Sequence, residues 1–201
     1  MLYNLLDKLF IGSYQQACQQ LLQQYQKEKN LTVHFLYFAN IILNNIHDES
    51  QHPKQKNIYY CALQHADFLL PDGIALYCLR QAARWKKLIK PSHTNRSNLN
   101  GTDFTVRFLL FLKKKYQCRI VCYGSTDEIV QKAAAFLQQK KITISSTHNG
   151  YQELDRSKVP SSTDNTITIL LVGRGSPLQE IRTYHHQQCI RDKKILALTV
   201  G

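Results

Sequence analysis

Apolar, β-rich runs alternate with amphipathic helical stretches along the whole of this 201-residue chain. The runs are LTVHFLYF (31–38), DFLL (67–70), CRIVCYG (118–124), ITIS (142–145), TITILLVG (166–173) and KILALTVG (194–201). The longer ones lack the polar alternation of a strand with one wet face, as expected for strands covered on both sides. Helical segments between them are long enough to carry one strand over to a parallel neighbour. This pattern predicts an α/β fold, a mainly parallel Rossmann-like sheet with helices on both faces, as one domain over 1–201. Ligands of such sheets bind beyond the carboxyl ends of the strands, so the strand-to-helix loops are where function should lie.

The helices carry their own signals. Ser13 is placed to cap a helix in which Tyr14, Ala17, Cys18, Leu21, Leu22 and Tyr25 share one face, with glutamines opposite. ANIILNNI (39–46) and IYYCALQHA (58–66) read as further helices, followed by one from Ile74 to Ala83 and one starting near Thr102. Ser125 and Glu128 have capping-box spacing ahead of a helix, and SPLQEIRTYHHQQC (176–189) reads as the last helix. Two stretches break the rhythm: a polar surface insertion, HDESQHPKQKN (47–57), and a basic loop, RWKKLIKPSHTNRSN (84–98).

Charge is unevenly distributed. Residues 1–79 hold five Lys/Arg against six Asp/Glu, whereas residues 80–201 hold 21 against 8, giving +12 overall. A basic C-terminal portion suits an anionic partner: nucleic acid, an acidic membrane surface or a phosphorylated small molecule. No apolar run approaches eighteen residues, which excludes a membrane-spanning helix. MLYNLLDKLFIGS lacks a basic start and is interrupted by Asp7, so a signal peptide is not expected and a cytoplasmic location is. The six cysteines contain no C-x-x-C pair and read as buried, reduced thiols; Cys118 and Cys122 would share one strand face.

Three strand-to-helix loops stand out. Leu70-Pro71-Asp72-Gly73 sets a carboxylate on a tight turn, where Asp72 serves either as a helix N-cap or Asx-turn residue, or as a general base. In Val172-Gly173-Arg174-Gly175-Ser176-Pro177-Leu178-Gln179-Glu180, two glycines let the backbone approach a ligand. Ser176 is placed as N-cap, Pro177 as first helical residue and Gln179 at the capping-box position. The loop is read either as a capped helix start or as a phosphate site. Tyr123-Gly124-Ser125-Thr126 is a weaker version of the same arrangement. In His148-Asn149-Gly150-Tyr151, Gly150 is expected to take a positive φ, and in Asn100-Gly101-Thr102-Asp103 either Thr102 or Asp103 starts a helix. There is no G-x-x-x-x-G-K-[ST] loop, no G-x-S-x-G elbow and no D-x-D pair, so arginines, lysines and backbone amides would carry the charge of any phosphorylated leaving group.

In order along the chain, these segments resemble the WecG/TagA/CpsF glycosyltransferases. The matching pieces are Phe38-Ala39-Asn40, Ala66-Asp67, Leu70 to Ile74, Gly101-Thr102-Asp103, Val121 to Gly124, His148 to Tyr151 and Val172 to Glu180. The resemblance implies inverting, metal-independent transfer of an N-acetylmannosamine-type sugar from a UDP donor to a polyprenyl-diphosphate-linked acceptor, with no cofactor. Such transfers build surface polysaccharides or teichoic-acid-like polymers beside the anionic inner face of a bacterial membrane, by a peripheral protein that is monomeric or homo-oligomeric. It implies Asp72 as the base that deprotonates the acceptor hydroxyl. Asn40, Gly73, Gly124, Tyr151, Gly175, Gln179 and Glu180 are implied as substrate-binding residues, and no residue as a metal ligand. Phe38 stands where the family commonly has Thr, and Asn98 where it has Arg, with Arg96 shifted by two. Family members usually continue several dozen residues past the position of Gly201. These departures keep a second reading open, a non-catalytic relative that binds a nucleotide sugar or a partner. A third, a nucleic-acid-binding module, rests on the clusters Arg84–Lys90 and Lys113–Lys115 and is weak, because no nucleic-acid-binding signature accompanies them.

Overall fold

A computed structural model describes residues 1–44, 46, 58–90 and 99–200. The expected insertion at 47–57, the 91–98 part of the basic loop with Arg96 and Asn98, and Gly201 lie outside the described residues. In chain order come α1 (Leu2–Lys8), α2 (Tyr14–Glu28), β1 (Leu31–Tyr37), α3 (Phe38–Leu43), α4 (Ile58–His65), β2 (Phe68–Asp72), α5 (Ile74–Trp85) and α6 (Gly101–Lys113). Then follow β3 (Gln117–Tyr123), α7 (Asp127–Gln139), β4 (Ile144–His148), a 3₁₀ turn (Arg156–Lys158), β5 (Thr166–Val172), α8 (Leu178–His185), α9 (Gln187–Asp192) and β6 (Leu196–Thr199). The six strands form one sheet in the order β2-β1-β6-β5-β3-β4, parallel at every pairing, as the alternation predicts.

Both faces are covered. Ile167, Ile169 and Leu171 of β5 point into a core with α2 and α6, where Phe104 and Phe108 stack at 5.5 Å between centroids. Leu170 and Val172, the alternate residues of the same strand, join Tyr123, Ala197 and Ile190 on the opposite face. A third cluster gathers α1, α3, α4 and α5 around Leu36 and Leu69 at the β1–β2 side. The α2 start is held as expected: Ser13 Oγ accepts from the Gln16 N–H and Gln16 Oε1 accepts from the Ser13 N–H. Asp67, part of the Ala66-Asp67 pair, proves to be a brace. Its carboxylate accepts from both the N–H and the hydroxyl of Thr32, tying the start of β2 to β1.

Several boundaries differ from expectation. β1 ends at Tyr37, and Phe38 already begins α3. β2 runs on through Pro71 to Asp72 because both pair with Leu36 and Tyr37 of β1. The fourth strand is Ile144–His148 rather than 142–145; Ile142 is instead buried in the core beside it. α7 is capped by Thr126, not Ser125, because Ser125 sits at φ 52 and gives its carbonyl to the Gly150 N–H. α6 begins at Gly101, with the Asn100 side chain accepting from the Thr102 and Asp103 N–H groups. The last helical stretch is two helices, and α8 starts at Leu178 without the expected Ser176 cap. All six cysteines are free, but Cys78 is exposed and Cys61 and Cys118 are half-buried, so burial holds for Cys18, Cys122 and Cys189 alone. Among the described residues no helix is long and apolar enough to cross a membrane.

Strand register shapes the carboxyl edge. Tyr123, His148, Val172 and Thr199 face one another in sequence across β3, β4, β5 and β6, so these four strands end level. Val33 lies opposite Leu198 of β6 and Phe68 of β2, which places the ends of β1 and β2 three residues farther on. At about 3.3 Å per residue, Tyr37 and Asp72 overhang the rest of the edge by about 10 Å. The result is a ledge beside a step.

Candidate active site

The ledge carries the first group of residues. Asp72 ends β2 half-buried, and its carboxylate accepts from the Gly101 N–H at 3.3 Å, at the first turn of α6. It therefore caps neither the turn after β2 nor α5, whose N-cap is Gly73 at φ 89 with no side-chain bond. The positive φ explains that glycine, and the space a Cβ would take is filled by the Tyr37 ring at 3.1 Å. Burial raises the proton affinity of Asp72, and the Gly101 N–H offsets part of the rise. An ionised carboxylate accepts several hydrogen bonds, and the Gly101 N–H supplies one of them. Asn40 follows two residues into α3, half-buried, with its carbonyl accepting from the backbone and side-chain nitrogens of Asn44. Phe38 turns away and packs into the core on that face.

The step carries the second group. Gly124, from the loop after β3, lies against Gly173 after β5 on one side and Gly150 after β4 on the other. The Gly124 N–H donates to the His148 carbonyl at 3.1 Å, the Gly150 N–H to the Ser125 carbonyl at 2.8 Å, and the Gly173 N–H to the Tyr123 carbonyl at 2.9 Å. A Cβ on Gly124 would lie 2.2 Å from the Gly173 carbonyl oxygen, and one on Gly150 would lie 2.7 Å from the Ser125 nitrogen. Gly150 is needed for this close approach and not for the positive φ expected of it. Gly175 does have a positive φ, 72°, and is exposed beyond the edge of β5. Tyr151 is 66% exposed, with the Arg174 guanidinium carbon 5.0 Å from its ring centroid. Beside Gly124 an apolar cavity of about 170 Å³ opens between α6 and α7, with Thr102, Gly124, Ser125 and Gly173 at its upper end.

Gln179 and Glu180 lie beneath this loop, at 3% and 0% exposure. Ser176 Oγ donates to Glu180 Oε1 at 2.7 Å, and Gln179 Nε2 reaches the same oxygen at 3.1 Å. That bond takes the Ser176 side chain away from the capping role its position suggests. The two residues brace the loop from inside, against the α4 face that carries buried Tyr59. Burial raises the Glu180 proton affinity above its ordinary value of 4.5. Above 4.5 the unfolded chain loses this proton while the folded protein retains it, so stability falls as pH rises through the raised value. Glu180→Gln is therefore expected to flatten the fall in melting temperature as pH rises above 4.5. An unchanged slope in a thermal melt series would count against a buried, titrating Glu180.

The structure thus brings Asp72, Gly73 and Asn40 together on the ledge, and Gly124, Tyr151 and Gly175 together on the step. Asp72 ends β2 and Gly175 follows β5, three strands away, which at about 4.8 Å per strand is a lateral separation of about 14 Å. Sequence reasoning missed Tyr37, whose only signal is an aromatic at a strand end, and missed the pairing of Asp72 with Gly101. Among the described residues no three His, Cys, Asp or Glu side chains gather as metal ligands.

The profile of the glycosyl transferase WecG/TagA/CpsF family matches residues 6–201. The chain belongs to the WecG/TagA/CpsF glycosyltransferase family. Comparison with curated proteins finds no match. Membership directs attention to this carboxyl edge, where both groups of residues lie. Asp67 of the Ala66-Asp67 pair is engaged with Thr32 of β1.

Proposed function

We propose that this family member transfers an N-acetylmannosamine-type sugar from a UDP donor to a polyprenyl-diphosphate-linked acceptor, for surface polysaccharide or teichoic-acid-like polymer synthesis. The observation that carries the reading is Asp72. It is a half-buried carboxylate of raised proton affinity, overhanging the sheet edge and oriented by the Gly101 N–H, on the same edge as a glycine-built step. In this reading the acceptor hydroxyl meets Asp72, the sugar lies beside Asn40, the diphosphate crosses the ends of β6 and β5 towards Gly175, and the nucleoside enters the cavity beside Gly124. The distance of about 14 Å from ledge to step suits a donor laid along the edge. Asp72 takes the hydroxyl proton as the acceptor oxygen attacks the anomeric carbon. UDP leaves from the opposite face, which inverts the configuration and requires no metal in this scheme.

A lipid-linked acceptor fits the apolar surroundings of the base. Tyr37, paired with Asp72 across β1 and β2, and Ile74, two residues after it, are 48 and 74% exposed and give the base apolar neighbours. The proposal places the protein in the cytoplasm, peripheral to the anionic inner membrane face. The test is a thermal melt with UDP and UDP-N-acetylhexosamines. Binding to the folded state alone raises the melting temperature, by about 2.7 kcal/mol of stability at a hundredfold excess over Kd. No shift at millimolar ligand would overturn the proposal. The second reading, binding without turnover, is favoured by Phe38, whose ring belongs to the core where the resemblance implies a hydroxyl. Slow, Asp72-dependent release of UDP from a UDP-sugar would exclude it.

A further inference from the structure

We infer that Arg174, held in place by Tyr151, is the cation that binds the donor diphosphate and takes up its charge on departure. The inference rests on the UDP-sugar reading above. Within the five residues that follow each strand, among the described residues, Arg174 is the one Lys or Arg at the carboxyl edge. Three acids share those loops, and each already has a partner. Asp127 accepts from Asn149 Nδ2, Glu128 pairs with Lys132, and Glu153 pairs with Arg182. No carboxylate lies within ion-pair distance of Arg174 among the described residues. Its Nε is buried and makes no hydrogen bond. An arginine held this way, partly dehydrated and without a counter-ion, is a donor set waiting for a planar or tetrahedral oxyanion.

The Tyr151 ring explains how the side chain is kept in position. Tyr151 is exposed and belongs to no core cluster, and its ring lies against the Arg174 guanidinium at 5.0 Å. The main chain on both sides is fixed: Tyr151 N–H donates to Asn149 Oδ1 at 2.9 Å, and Gly173, before Arg174, is bonded to Tyr123. Gly150 lets the two come together, since a Cβ there would lie 2.8 Å from the Arg174 Cγ. Tyr151 is thus a positioning residue for Arg174, not a base-stacking platform. In the transfer step the acceptor oxygen–anomeric carbon bond forms and the anomeric carbon–phosphate oxygen bond breaks. The electron pair leaves on the phosphate oxygen of UDP, whose diphosphate charge Arg174 offsets, and the hydroxyl proton passes to Asp72. The role matters in this chain because Asn98 stands at the position where the resemblance implies an arginine.

The test is calorimetric titration of the wild type, Arg174→Gln, Arg174→Lys and Tyr151→Leu with UDP, uridine and inorganic pyrophosphate. Arg174→Gln is expected to weaken UDP and pyrophosphate at least tenfold and leave uridine unchanged. Arg174→Lys should recover part of the loss, and Tyr151→Leu should weaken UDP without touching uridine. Wild-type affinity for UDP in Arg174→Gln, or an equal loss of uridine, overturns the role of Arg174. Loss of uridine in Tyr151→Leu overturns the positioning role. A wild type that binds neither UDP nor pyrophosphate overturns the donor reading and this inference together.

Discussion

Gly124→Ala is expected to lower the melting temperature by about 10 °C, an overpacking cost near 3 kcal/mol at about 3 °C per kcal/mol. The methyl group would sit 2.2 Å from the Gly173 carbonyl oxygen, 2.6 Å from its carbon and 2.8 Å from its Cα. All three are backbone atoms, so no side-chain rotation relieves the contact. Neither strand end can retreat cheaply. Tyr123 and Val172, the residues just before, are paired in register, and the Gly173 N–H is bonded to the Tyr123 carbonyl. The clash therefore either breaks the β3–β5 pairing at its carboxyl end or drives the β5 loop outward, carrying Arg174 and Gly175 with it. Gly175→Ala is the control. It has a positive φ, 72°, which Gly124 lacks, and nothing lies within 4 Å of its Cβ position. Its cost is the backbone strain alone, about 1–2 kcal/mol. Equal shifts for the two variants in a thermal melt would show that the close approach of the loops contributes nothing.

The contrast between these glycines shows what sequence reading reaches. It reached the strands whose burial on two faces demands continuous apolar residues, such as Thr166–Val172, buried at every position. It misplaced the fourth strand by two residues because β4 is an edge strand that pairs with β3 alone. ISSTH needs no apolar face, and the more apolar Ile142 just before it belongs to the core without belonging to the sheet. The α7 cap shows a similar limit. Ser125 and Thr126 are equal candidates by type, and the choice is made by Gly150, whose N–H claims the Ser125 carbonyl from 25 residues away.

Site residues were legible as types and places more than as contacts. The P-D-G sequence marks a strand end with a carboxylate, but whether Asp72 caps the next helix is decided by Gly101, which no local pattern connects to it. Gln179 has the spacing of a capping box, yet the Ser176 hydroxyl donates to the buried Glu180 Oε1 and its oxygen accepts from no backbone N–H at the start of α8. The loop that reads as a capped helix start is therefore held from below. Its outer surface is left to Arg174 and Gly175.

Asp72→Asn is expected to lower turnover about 10³-fold while leaving UDP affinity within twofold, the loss typical of removing a positioned base. The amide oxygen can still accept from the Gly101 N–H, so the geometry is kept and the proton acceptor is lost. The same substitution is expected to stabilise the fold at pH 7. Burial raises the Asp72 proton affinity above the ordinary 3.8, so the folded protein binds this proton more tightly than the unfolded chain does. Stability then falls as pH rises from 3.8 through the raised value, and at neutral pH the folded state carries the full cost of a half-buried charge. Removing that charge raises the melting temperature at pH 7 and leaves it unchanged below pH 3.8, where the carboxyl is protonated in both states. Wild-type activity should show an acid limb above the usual carboxylate range, reporting the same group, and the variant's residual activity should lack it. Thermal melts at the two pH values and a UDP-release assay across pH measure both effects on one pair of proteins. A variant that keeps wild-type turnover removes Asp72 as the base. One that loses turnover without the pH-dependent gain in stability would mean that the carboxylate is solvated better than its burial implies. A site of this kind holds its base in a state that favours chemistry over stability, and the two measurements read the two sides of that balance.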